Sequence, residues 1–157
     1  MGNWEWGIWN RGGVDMSRPD FEDLDVYKLA EKLANEVWFI VKQWDYFTKD
    51  TRDQQIVRSA DSVCANIAEG RGRYNHQDNR RFIKIARGSL YETISWLRLA
   101  YARQLLADEQ VKKLQPIIDE LPPKLNAYLN SIGDKKDRMS DLKLGRDSQF
   151  PNPQSPI

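Results

Sequence analysis

The side chains that most often do chemistry are scarce in this chain of 157 residues, which holds one cysteine, Cys64, and one histidine, His76. A nucleophile needs a base within hydrogen-bond reach, and zinc sites draw on several Cys and His ligands, so neither residue can build such a site from this inventory. Cys64 lies beside apolar positions of a helical repeat and reads as a small buried residue; as a single cysteine it cannot form an internal disulfide. His76 falls in a polar turn with no Ser, Cys or Asp at a meaningful spacing. Gly70-Arg71-Gly72 has the flexibility of a phosphate-binding turn, yet no strand precedes it and no GK[ST] or GxGxxG pattern is present. The expectation is a protein that is not an enzyme and has no metal and no cofactor.

What remains is charge and hydrogen bonding. Arg71, Arg73, Arg80, Arg81, Lys84 and Arg87 form a basic cluster opposed nearby only by Glu69 and Asp78. Residues 52–107 hold ten Lys/Arg against five Asp/Glu, whereas residues 1–51 hold six against ten and the net charge of the chain is only +1. Arg80, Lys84 and Arg87 recur at helical spacing, so long cations on one face could meet successive phosphates, with Arg71 and Arg73 flanking Gly72 in the turn. The candidate nucleic-acid-binding set is Arg71, Arg73, Arg80, Arg81 and Lys84. An ordinary solvated basic face stays open beside it, as does internal pairing of Arg87 with Glu69 or Glu92, because Arg87 sits between Ile83 and Leu90 on an apolar stripe. A second feature is the stripe Arg58, Ser62, Ala65 and Glu69, bordered by Ser59 and Asn66. Small polar residues at this spacing let another helix approach closely, within the chain or between copies, or else form a solvated face.

These residues need helices to position them. Val26, Leu29, Leu33, Val37, Ile40 and Trp44 recur in steps of three and four and predict a first helix over Phe21–Trp44. Ile56, Ala60, Val63 and Ile67 predict a second, ending at Gly70 and Gly72 as left-handed caps. Ile83, Ala86, Leu90, Ile94, Leu97, Tyr101 and Leu105 predict a third over Gln77–Leu106. Asp108 then caps a fourth, with Val111, Leu114, Ile118, Leu121, Leu125, Tyr128 and Ile132 on its stripe and Gly133 at its end. Pro116, Pro122 and Pro123 each remove a backbone donor, predicting one kinked helix or two short coaxial ones. The fold class is therefore all-α, an up-and-down four-helix bundle over 21–133, between a flexible N-terminal extension (1–20) and a disordered C-terminal tail (134–157). Trp4, Trp6 and Trp9 in the first extension could form a recognition arm. No run of about 18 apolar residues and no secretory pattern is present, so a cytoplasmic location is expected, with no membrane contact.

The string Gln55-x-x-Arg58-Ser59-x-x-Ser62-x-x-x-Asn66-Ile67-Ala68-Glu69-Gly70-x-Gly72-Arg73, followed by Arg80-x-Phe82-x-x-x-Ala86-Arg87-Gly88-Ser89-Leu90-x-Glu92, resembles a bacterial four-helix-bundle family. That family includes proteins encoded in intervening sequences of 23S ribosomal RNA genes and the accessory variability protein of diversity-generating retroelements. The resemblance implies a homopentamer that binds DNA or RNA through its outer surface, alongside a reverse transcriptase in the retroelement branch. It also implies that Arg58, Ser59, Asn66, Glu69, Arg87, Ser89 and Glu92 form a structural polar network or subunit interface. An oligomeric protein-interaction scaffold without nucleic-acid binding is the alternative.

Overall fold

The computed structural model describes residues 20–44 and 54–133. The extensions lie outside these residues apart from Asp20, as do Trp4, Trp6 and Trp9. After a short 3-10 turn, Asp20–Asp23, come four helices: α1 (Asp25–Val41), α2 (Gln54–Arg71), α3 (His76–Ala102) and α4 (Asp108–Ser131). Each helix packs on its neighbour in sequence, and α4 closes the ring onto α1. The turns at 72–75 and 103–107 are too short for anything but antiparallel neighbours, which makes this an up-and-down four-helix bundle.

The bundle axis is filled by Leu33 from α1, Ile56 and Ile67 from α2, Leu90 from α3, and Leu121 and Leu125 from α4, all fully buried. Each such side chain contributes about 1.5–3 kcal/mol relative to an exposed one. The predicted stripe of α2 is buried throughout. On α3 the stripe runs Ile83, Ala86, Leu90, Thr93, Leu97 and Ala100 instead, with Ile94 half-buried and Tyr101 59% exposed. Two three-four registers were available after Leu90, and the one chosen turns Thr93 and Ala100 inward. On α4 Ile117 and Leu129 are buried, while Val111, Ile118 and Tyr128 flank the core.

The helix ends differ from the sequence expectations in instructive ways. Asn75 caps α3, its Oδ1 accepting from the Asp78 amide at 2.7 Å, so His76 opens a helix rather than sitting in a turn. Ala107, not Asp108, holds the N-cap position of α4, and the Gln110 side chain accepts from the Ala107 amide at 2.9 Å. Asp108 and Glu109 lie in the first turn, where their charge complements the helix dipole. α3 closes with Gln104 in the left-handed region (φ 59°), while the Leu105 amide donates to the Ala100 carbonyl and that of Gln104 to Tyr101. Trp44 Nε1 donates to the Leu105 carbonyl at 3.1 Å, tying the chain after α1 to this turn.

α4 runs without interruption through Pro116, Pro122 and Pro123, so the reading of two separate helices is corrected. Pro116 and Pro123 are exposed and Pro122 is half-buried. The carbonyls freed four residues back, on Lys112, Ile118 and Asp119, lie on exposed or half-buried residues away from the buried seam, where the cost of losing their donors is smallest.

Gly70 and Gly72 are likewise corrected. Neither has a positive φ, whereas Gly133 does (91°). Gly70 is buried within α2, where a Cβ would lie 2.9 Å from Asn79 Oδ1, 3.0 Å from Phe82 Cβ and 3.2 Å from the Asn79 carbonyl oxygen. It is glycine because α3 crosses there. We expect Gly70→Ala to lower stability by about 1–3 kcal/mol through overpacking, despite alanine's better helix propensity. Gly72→Ala meets only ordinary contacts at 3.6 Å and beyond, so thermal or urea unfolding should leave it within about 0.5 kcal/mol of wild type.

Candidate nucleic-acid interface

The close crossing of α2 and α3 lets short hydroxyl side chains bridge the two helices. Ser62 Oγ and Ser89 Oγ are 3.0 Å apart. Asn66 Nδ2 donates to the Ser62 carbonyl at 2.7 Å and reaches Ser62 Oγ at 3.0 Å. Deeper in, Thr93 Oγ1 lies 3.0 Å from Ser59 Oγ and 2.8 Å from the Ser89 carbonyl, and Ser59 Oγ lies 2.9 Å from the Ile56 carbonyl. Two hydroxyl protons serve these three contacts, so each arrangement fills two of them at a time.

Of the seven expected polar-network residues, Ser59, Asn66 and Ser89 enter this seam. The other four have different places. Arg58 is exposed. Glu69 pairs with Arg73 one turn on, and Glu92 is exposed and accepts weakly from Trp96 Nε1 at 3.4 Å. Arg87 reaches across to α4, where Nη1 meets Asn126 Oδ1 at 3.3 Å, rather than to Glu69 or Glu92. Thr93, fully buried, was missed. Its signal was a polar residue in the register of Leu90 and Leu97, which a helix can bury only with a partner.

The basic cluster divides. Arg80 is a correction: it is only 8% exposed, and its Nη1 donates to the carbonyls of Leu129 at 2.8 Å and Ile132 at 2.9 Å. These are carbonyls at the end of α4 that lack helical donors, so a buried guanidinium caps that helix and meets the negative end of its dipole. Arg80 therefore does not belong to the phosphate-facing set. Arg73 is exposed but held, paired with Glu69 and lying 4.6 Å over the Phe82 ring. Arg71, Arg81 and Lys84 are exposed around the same end of the α2 and α3 pair. Tyr74, at the tip of the turn between these helices, has 110% relative exposure.

With this geometry established, comparison with known proteins places the fold in a family. A family model described as 23S rRNA-intervening sequence protein matches residues 22–127, more than half of the chain. The chain belongs to that family. The fold is also that of a solved structure, a crystal structure at 1.70 Å of a protein with unknown function from the S23 ribosomal protein family of Bacteroides thetaiotaomicron VPI-5482. The two are 24% identical with a TM-score of 0.60, over 66% of this chain and 97% of that one. No curated protein matches the sequence. The family match spans the hydroxyl seam, the Gly70 crossing and Arg80 itself, and ends just before the Leu129 and Ile132 carbonyls that Arg80 caps.

Among the described residues, no group of three or more His, Cys, Asp or Glu side chains could hold a metal ion, and no helix is long and apolar enough to cross a membrane. Cys64 lies half-buried on α2, and burial, with the Glu31 and Asp61 carboxylates adding to it, pushes its thiol up to about 12. Burial thus lowers the fraction of reactive thiolate at neutral pH below that of an exposed cysteine.

Three outcomes follow for this family member. Arg80→Met should cost about 2–3 kcal/mol in chemical denaturation, because it strips a charged donor from two buried carbonyls. Cys64 should react with iodoacetamide at pH 7.5 far more slowly than free cysteine until the chain is unfolded. Because its folded pKa lies above the ordinary value of 9.0, its contribution to stability should decline as the pH rises from about 9 toward 12, and Cys64→Ala should flatten that decline.

Proposed function

We propose that this protein is a non-catalytic accessory protein that assembles with copies of itself, as a cytoplasmic homopentamer, and binds nucleic acid through the basic end of α2 and α3. A reverse transcriptase encoded nearby is the partner that the retroelement branch of its resemblance suggests. The observation that carries nucleic-acid binding is the gathering of exposed Arg71, Arg81 and Lys84 at one end of the bundle, within a segment holding ten basic residues against five acidic. Such a surface favours polyanions and reads the backbone rather than the bases.

Self-assembly is supported by the outer face of α3. Gly88 lies in mid-helix and exposed, and a Cβ there would meet nothing within 4 Å, so no contact inside the chain requires glycine. Glycine in a helix interior costs about 0.5–1 kcal/mol relative to alanine. Ile85 and Leu99, 43% and 40% exposed, flank it, and Ala65 is exposed on α2. A second copy packing on this face would use the missing side chain. A second reading, a protein scaffold without nucleic-acid binding, is favoured by Trp38 and Phe39, which stand 54% and 57% exposed on α1.

The test is a salt titration of DNA and RNA binding by the full chain, with its mass in solution measured in the same buffer. Affinity should fall log-linearly with salt, and changing Arg71, Arg81 and Lys84 together to Ala should reduce the slope by about two to three, at roughly 0.7–0.9 per phosphate contact. Gly88→Glu should yield monomers with an intact thermal transition. An oligomer that binds no nucleic acid at low salt would transfer the reading to the scaffold.

A further inference from the structure

We infer that Tyr74 is a stacking platform for an unpaired base, and that the nucleic acid bound at this end of the bundle is single-stranded. This rests on the nucleic-acid reading above and narrows its ligand. Large aromatic side chains are ordinarily covered, and Phe82 nearby is half-buried under the Arg73 guanidinium. Tyr74 touches so little of its own chain that its relative exposure is 110%, the highest of the exposed large hydrophobic residues of the described structure. No packing role within the bundle accounts for it.

The turn that carries the ring is well supported. The Gly72 amide donates to the Ala68 carbonyl and the Arg73 amide to the Gly70 carbonyl, each at 3.1 Å. On the other side Asn75 is fixed by two hydrogen bonds to Asp78, one from the Asp78 amide and one from Asn75 Nδ2 to Asp78 Oδ2 at 2.9 Å. The ring is thus presented from a backbone anchored on both sides, at little entropic cost. Arg71 and Arg73 precede it, and Arg81 and Lys84 follow on the first turns of α3.

A protruding aromatic amid cations matches the two needs of an unpaired strand, a π-face for a base and positive charge for its phosphates. Duplex DNA keeps its bases stacked internally and presents only phosphates and groove edges to such a surface. An acidic protein partner would satisfy the cations and leave the ring without a matching flat, electron-poor surface. Single-stranded nucleic acid uses both features together.

The experiment compares three probes on the full chain: oligo-dT, a mixed-sequence DNA duplex and heparin, a polyanion without bases. The variants are Tyr74→Ala and Tyr74→Phe, both at a position too exposed to disturb folding. Tyr74→Ala should weaken oligo-dT about 5- to 100-fold, as expected for loss of one base-aromatic stack, with the salt slope unchanged. Duplex and heparin affinities should stay at wild-type values, and Tyr74→Phe should bind oligo-dT as wild type does. Equal oligo-dT affinity for wild type and Tyr74→Ala would overturn the stacking assignment and leave the basic-surface reading standing, as would an equal loss for all three probes. Absence of binding to any nucleic acid by the wild type would overturn both.

Discussion

At Gly70 the backbones of α2 and α3 approach until no side chain fits between them, and the rest of the molecule is arranged around that crossing. Serine and threonine hydroxyls extend only one atom beyond Cβ, so they bridge two helices only when the axes run close. The contacts between Ser62 and Ser89, and between Ser59 and Thr93, are each 3.0 Å and lie successively farther from Gly70, so the close approach persists along several turns. A seam of this kind specifies register, because sliding either helix by one residue would strand buried hydroxyls at about 1–3 kcal/mol each. Apolar packing alone tolerates such slips more readily.

From the same crossing the remaining helices are indexed in turn. α3 begins immediately after the tight turn that follows Gly70, which places Arg80 a little over one helical turn inside the bundle end. There its guanidinium meets the carbonyls at the end of α4 and fixes where that helix stops against α3. At the opposite end Trp44 bonds the turn between α3 and α4, which fixes the exit of α1. Polar contacts thus position the helices lengthwise, while Leu, Ile and Val supply most of the stabilising burial around the axis.

Much of this was legible in the sequence, and the parts that were not share a physical cause. Helix number, order and the α2 stripe followed from three-four periodicity, because solvent exclusion acts on one face of each helix whatever the partner. Arg80 was misplaced because charge was read ahead of register. It stands three residues before Ile83 and so continues the buried stripe, and a long cation in that register near a helix end can cap a neighbour. Gly70 was read as a turn former because a conformational glycine and a close-packing glycine look alike until the crossing helix is known. The prolines of α4 overstated a break, since proline inhibits a helix most where the freed carbonyl is buried, and periodicity cannot locate that carbonyl. Ser62, with Ser59 and Asn66 bordering its stripe, stood out through helical spacing and Ser89 through the family resemblance, whereas Thr93 required the third helix in place.

The redistribution of the arginines also bears on how binding could be strong enough to matter. Arg80 is buried, Arg73 is paired with Glu69, and Arg71, Arg81 and Lys84 are exposed around the α2 and α3 turn. Three phosphate contacts and one stacked base make a weak site by themselves, and the near-neutral total charge of +1 adds little long-range attraction. Repetition changes that arithmetic. When copies hold several such ends at fixed spacing, one strand engages them in succession, and linking weak sites raises avidity by about 10²–10⁴ without any new contact. On the proposed reading, self-association through the Gly88 face and nucleic-acid binding at Tyr74 are therefore one device: assembly supplies the affinity that the modest charge of a single chain cannot.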